Sequence, residues 1–116
     1  MAKHNELGKK GEAMARSFYE SNGFMVIAVN WRYSYYEVDM IVSKNDKLHF
    51  VEVKTRKDDR HGNPEQSVGR KKLSNLKQAA REYLYQHPEW KCIQFDVLSI
   101  IMKNDQPEYF LLEDVF

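Results

Sequence analysis

The residues richest in chemistry lie between Tyr36 and Arg56: Glu37, Asp39, Glu52 and Lys54, set among Val, Ile, Met and Phe. An ionised group with apolar neighbours is costly to desolvate unless an opposite charge meets it. Three carboxylates beside one lysine leave a negative surplus, which a divalent cation would remove. Asp39 and Glu52 are hard oxygen donors suited to Mg²⁺ or Mn²⁺, and Mg²⁺ keeps several waters while taking one or two protein carboxylates. Glu37 is a further candidate ligand. Lys54, two residues beyond Glu52, could orient or deprotonate a metal-bound water, or stabilise charge developing on a phosphate. Such a set cleaves phosphodiesters. The simpler alternative is that Glu-x-Lys on an exposed strand is a solvated pair worth a few tenths of a kcal/mol. What distinguishes this chain is the combination: Asp39, then Glu52-Val53-Lys54 thirteen residues on, inside apolar strands and followed by a basic segment.

These side chains need two strands to hold them. Alternation and β-branched content predict strands at Tyr36–Val42 and Leu48–Thr55, with turn residues Ser43 to Lys47 between them. Alternation puts Glu37, Asp39 and Ile41 on one face and Tyr36, Val38, Met40 and Val42 on the other. In the second strand Leu48, Phe50, Glu52, Lys54 and Arg56 share a face.

Asp39 followed by Glu52-x-Lys54 is similar to the signature of the PD-(D/E)XK nuclease superfamily. More closely, Asn30-Trp31-Arg32, Glu37-Val38-Asp39-Met40-Ile41, Phe50-Val51-Glu52-Val53-Lys54-Thr55-Arg56 and His61-Gly62 resemble the bacterial YraN-like family, described as endonuclease-related. The resemblance runs from Gly8 to about Leu84. It implies a small mixed sheet flanked by helices, of restriction-endonuclease-like fold, with Asp39, Glu52 and Lys54 as the site. It also implies Glu12 on the first helix as an extra metal ligand, an addition similar to one in archaeal Holliday-junction resolvases. Related nucleases place a basic or amide side chain from the second helix near the metal, which points to Lys72 and Gln78. One departure is Tyr36, where the family has glycine.

The rest of the chain supplies the supports. Asn5 is a candidate cap for a helix reaching Asn22, with Gly23 placed to end it and Leu7, Gly11, Met14, Ala15 and Phe18 as its core stripe. Glu12 borders that stripe and could equally pair with Arg16 one turn later. Gly8 and Gly11 are unusual inside a helix, and close approach of another backbone would explain them. Phe24–Asn30 reads as a strand covered on both faces. The aromatics after it, Trp31, Tyr33, Tyr35 and Tyr36 around Arg32, suit either a core edge or stacking on bases. Lys57 to Ser67 reads as a loop able to move over a substrate. A helix from Val68 to Gln86 follows, with Leu73, Leu76, Ala80, Tyr83 and Leu84 at helical spacing and Pro88 just beyond. Cys92–Met102 and Glu108–Leu112 then form strands, expected as an antiparallel extension covering the sheet. Leu111, Leu112, Val115 and Phe116 either pack on the core or form a homodimer contact.

The 116 residues make one α/β domain of order helix, three strands, helix, two strands. Formal net charge is +1, yet Lys54–Arg81 carries nine basic residues against three acidic ones, whereas Glu82–Phe116 carries two against seven. That basic excess beside the site suits DNA, with RNA not excluded, and makes Arg32, Arg56, Lys57, Lys71, Lys72 and Gln78 candidate contacts. A solvated helix face would show the same excess. No apolar run reaches the roughly 20 residues needed to cross a bilayer and the amino terminus has no hydrophobic signal segment, so a cytoplasmic protein without membrane association is expected. The single cysteine, Cys92, reads as a small core residue. His4, His49, His61 and His87 make no zinc pattern.

Overall fold

A computed structural model describes residues 2–57 and 69–116, with side chains described from residue 8 onward. Seven elements follow in the order α1 (Ala2–Ser21), β1 (Met25–Tyr33), β2 (Tyr36–Lys44), β3 (Lys47–Arg56), α2 (Arg70–Gln86), β4 (Cys92–Lys103) and β5 (Gln106–Leu112). They match the expected order of helix, three strands, helix, two strands. The loop after Lys57, the His61-Gly62 pair and Val68 lie outside the described residues, as do the Leu7 side chain and those of His4 and Asn5.

The sheet runs β1-β2-β3-β4-β5 and is mixed. β1, β2 and β3 are joined antiparallel, β4 lies parallel to β3, and β5 returns antiparallel to β4. The last two strands are antiparallel to each other as expected, but the expectation of an antiparallel extension is corrected at the joint of β3 with β4. A chain leaving β3 through α2 can come back in the same direction as β3, so β4 widens the sheet rather than covering it. Tight two-residue turns close all three hairpins. Asn45-Asp46 and Asn104-Asp105 all have positive φ, between 50° and 63°, which Asn and Asp tolerate better than most residues.

Each face of the sheet carries one helix over one core. Beneath α2, Val38, Ile41, Leu48 and Phe50 pack with Leu76, Ala79, Ala80 and Tyr83. Beneath α1, Met40, Val42, Val51, Leu98 and Ile100 pack with Ala15 and Tyr19. Full burial of a Leu, Ile or Phe contributes about 1.5–3 kcal/mol, so these two layers set the position of β3 between them. Alternation in β2 is not continuous: Val38, with Tyr36 packed alongside, belongs to the α2 side, while Met40 and Val42 face α1. The break coincides with Asn30, which the register places across from Asp39 and whose φ is 54°. In β1 the left-handed residue separates Val29, on the α1 side, from Trp31, on the α2 side. β1 accordingly extends beyond Asn30, and Trp31 to Tyr33 are strand residues.

α1 begins at Ala2, earlier than a cap at Asn5 would allow. It ends as expected at Gly23, which has φ 84°. The Phe24 amide donates to the Tyr19 carbonyl and the Gly23 amide to that of Glu20, a pairing that satisfies carbonyls the helix leaves open. Cys92 is exposed rather than in the core, because it opens β4 at the end of the sheet. The carboxyl-terminal residues fold back: the Val115 amide donates to the Phe95 carbonyl, Phe116 stands edge-on to Phe95, and Lys77 lies 4.4 Å from the Phe116 ring centre.

The two glycines of α1 differ. A Cβ on Gly11 would stand 2.0 Å from Thr55 Oγ1 and 3.0 Å from Thr55 Cβ, whereas one on Gly8 would meet nothing within 4 Å. The close neighbour is thus a β-branched side chain of β3, not a backbone. Gly11→Ala should lower stability by about 1–3 kcal/mol through overpacking, with Thr55→Ala restoring most of the loss. Gly8→Ala should leave stability unchanged or raise it by up to about 1 kcal/mol. Urea denaturation of the three variants checks the signs, and a Gly11→Ala protein as stable as wild type would refute the contact.

Candidate functional site

The β2–β3 register ends at Met40↔Val51. The next position outward sets Asp39 across from Glu52, and there the backbone ladder stops. The Val53 amide donates instead to Asp39 Oδ2 at 2.8 Å. A carboxylate thus replaces a strand carbonyl, and the strands part around it.

Glu37, Asp39 and Glu52 meet in this opening. Asp39 is in hydrogen-bond contact with both Glu52 and Glu37. Burial, then the hydrogen bond to Glu52 and the charge of Glu52, push Asp39 up to about 7, against the opposing Val53 amide and Glu37. Glu37 is raised too, by burial first and then by its hydrogen bond to Asp39 and the charge of Asp39, with Arg32 and Lys72 acting the other way. The three carboxyl groups thus form one hydrogen-bonded chain with Asp39 at its centre. Glu52 is only 6% exposed.

Cations enter from two elements. Lys72, in the first turn of α2, lies 3.0 Å from Glu52 Oε1. Burial works against its ammonium, but the charge and hydrogen bond of Glu52, with Asp39 and Glu37 behind, raise its pKa overall. Arg32 pairs with Glu37 at 2.6 Å, its neighbour across the β1–β2 register. Lys54 follows Glu52 on the same face of β3, about 7 Å along the strand. It is half-buried and forms no ion pair with another described residue.

The remaining sequence candidates are spread more widely. Glu12 accepts a hydrogen bond from Asn30 Nδ2, so it is held beside the Asp39 register position, on the α1 side. Arg16 is not its partner and pairs with Glu20 at 3.5 Å. Arg56 ends β3, half-buried, and Lys57 is exposed just after it. Lys71 is exposed at the start of α2. Gln78 is exposed two turns farther on, in a cleft with Tyr33, Tyr36, Arg81, Glu82 and Tyr85. Sequence reasoning missed Asn30 and the ion pairs of Lys72 and Arg32. Asn is among the residues that tolerate a left-handed backbone, which is the one local signal Asn30 gave; the ion pairs depend on register and on the crossover.

The donor set suits a hard cation. Among the described residues no group of three or more His, Cys, Asp and Glu side chains is arranged as a ready-made metal cage. Mg²⁺ does not need one, since it takes one or two carboxylates and completes its shell with water. Acids crowded into hydrogen-bond contact are the ligands such an ion would relieve.

Residues 11–100 match the model of the uncharacterised protein family UPF0102. The chain belongs to that family. It is the YraN-like family, related to the PD-(D/E)XK nucleases, and the five-stranded mixed sheet with two helices is compatible with a restriction-endonuclease-like fold. Similar chains include the UPF0102 proteins of Parabacteroides distasonis, 35% identical over all of this chain and 96% of its own length, and of Syntrophomonas wolfei, 39% identical over 87% of this chain and 89% of its own. The UPF0102 protein of Dictyoglomus turgidum is 40% identical over 85% of each chain. No helix among the described residues is long and apolar enough to cross a membrane.

The raised Asp39 makes a pH prediction for metal-free protein. An unfolded Asp titrates near its ordinary value of about 3.9, while the folded one holds its proton until about 7. The native state therefore binds more protons across that window, and this contribution to stability falls as pH rises through it, by up to about 4 kcal/mol. Asn at this position can still accept from the Val53 amide without carrying charge. In EDTA, Asp39→Asn should match wild type at pH 4 and exceed it by about 2–4 kcal/mol at pH 8 in chemical denaturation. A difference that stays constant with pH would count against this hydrogen-bonded arrangement.

Proposed function

We propose that this protein is an endonuclease that hydrolyses phosphodiester bonds in DNA with Mg²⁺ or Mn²⁺. The observation that carries the reading is the crowding of Asp39, Glu52 and Glu37 into one opening between the strands, with Lys72 paired to Glu52 and Lys54 two residues along β3. Asp39 and Glu52 would hold the ion, which when bound supplies Lewis-acid activation of a water and of the scissile phosphate. Glu37 and Glu12, the latter through a movement away from Asn30, are the further candidate ligands.

Around that pair the chain's own groups have distinct tasks. Lys54 carries an ammonium that no described acid neutralises, on the face where Glu52 points. It orients the attacking water and meets the charge that builds on the phosphate oxygens. Lys72 offsets part of the charge on Glu52 and keeps its carboxylate in place. Arg32 does the same for Glu37, while Lys57 and Lys71, exposed at either side of the crossover, receive flanking phosphates. Arg56 and Gln78 extend that contact surface.

A second reading has one observation in its favour. Lys72 already balances part of the acidic charge, so a nucleic-acid-binding module that turns nothing over would need no metal.

Cleavage of labelled linear, flapped and four-way-branched DNAs, with an RNA strand in parallel, separates the two. With Mg²⁺ or Mn²⁺, wild type should cut at least one substrate. Glu52→Ala should abolish the activity, and Lys54→Ala should reduce it by about 100-fold or more. If wild type and both variants are equally silent, the catalytic reading fails; salt-dependent binding without turnover would then establish the module.

A further inference from the structure

Beside the carboxylates, the β1–β2 hairpin and α2 enclose a cleft of about 420 Å³. Tyr33 and Tyr36, partners across the β1–β2 register, form one wall. Gln78, Arg81, Glu82 and Tyr85 of α2 form the other. Tyr36 packs on the α2-side core, but Tyr33 is 47% exposed and Tyr85 76% exposed. Leaving two large rings in solvent forgoes the burial that normally places aromatics in a core.

The polar groups set between the rings discriminate among occupants. Gln78 and Glu82 lie one helical turn apart and hence on the same face of α2. An amide and a carboxylate there offer both donor and acceptors, which suits the edge of a base. A phosphate would be repelled by Glu82, so the rings and the base edge, rather than the backbone, define the cleft. Arg81 adds a planar cation able to stack or to reach a neighbouring phosphate.

The cleft neighbours the acidic site along both elements that form it. Tyr36 directly precedes Glu37, and Tyr33 follows Arg32, the partner of Glu37. Along α2, Gln78 is six residues past Lys72, about 9 Å in helix rise. A strand that passes the Asp39–Glu52 opening therefore reaches the cleft within a few nucleotides. Inside a duplex its bases are stacked and paired, and they cannot enter a slot between tyrosines.

We infer that the Tyr33–Tyr36–Tyr85 cleft binds an unpaired base, making this a site for nucleic acid with a single-stranded segment beside the Asp39–Glu52 opening. The inference rests on the nucleic-acid reading above but not on turnover. Its experiment is equilibrium binding in EDTA, by fluorescence anisotropy, of an oligo-thymidine strand and of a blunt duplex of equal length. Tyr33→Ala and Tyr85→Ala should each weaken single-strand binding about tenfold, as expected for the loss of one stacking partner, while leaving duplex binding within about twofold. Tyr33→Phe and Tyr85→Phe, which keep the ring, should bind like wild type. Equal losses on strand and duplex, no loss in the alanine variants, or failure of wild type to bind the single strand would each overturn the cleft assignment. Absence of metal-dependent cleavage in a protein that passes this test would defeat the nuclease reading alone.

Discussion

The structure depends on one hydrogen bond that is not part of any ladder, from the Val53 amide to Asp39. Where strands separate, their amides and carbonyls lose partners, and a buried orphan costs about 1–3 kcal/mol. Asp39 supplies an acceptor at that point. The sheet can therefore open without leaving the Val53 amide unsatisfied, and the opening admits Glu37, Glu52 and the Lys72 ammonium. The same bond favours the charged form of Asp39, yet burial and Glu52 outweigh it. Structural need and electrostatic cost thus act on one carboxyl group.

That cost is sustained by the layers on either side. Phe50 and Val51, adjacent to Glu52, are fully buried on opposite faces, under α2 and α1 respectively. With both faces anchored, β3 cannot rotate to bring Glu52 into water. Gly11 against Thr55 fixes the far end of the strand, where a larger residue in α1 would push on the segment that carries Lys54. At the other end of the sheet, His49 Nδ1 and Asp96 Oδ2 meet at 2.8 Å across β3 and β4, and Asp96 Oδ1 also accepts from the Asp114 amide. This buried pair ties the parallel joint to the carboxyl terminus.

Much of this was legible from residue types. The strands carry period-two patterns strong enough to read, and Asp39 and Glu52 stood out because ionised groups in apolar runs need a reason. Gly23 announced the end of α1 through the conformation that only glycine adopts freely. Three things were not legible, each for a physical reason. Val38 lies on the other side from Met40 because alternation breaks between them, across from the left-handed Asn30 of β1, and pairing is not written in either strand alone. The contact between Lys72 and Glu52 needs the crossover to be in place, and twenty residues separate the two in sequence. Cys92 looked like a core residue by composition, but a strand's first position may lie past the last covering side chain, as it does here.

The Asn45-Asp46 turn also sets a rule for how this hairpin can change length. From the closing pair Lys44↔Lys47, five steps lead back to Asp39 and five lead forward to Glu52. The loop may lengthen freely, since added residues there leave both arms equal. One residue added to a single arm moves one acid to the opposite face of the sheet, where it meets apolar side chains instead of its partner. Only a bulge can absorb such an insertion, as β1 does between Val26 and Ala28. The spacing of the acids is therefore a balance of two arm lengths about a turn, and insertions and deletions are tolerated according to which side of Lys44 and Lys47 they fall.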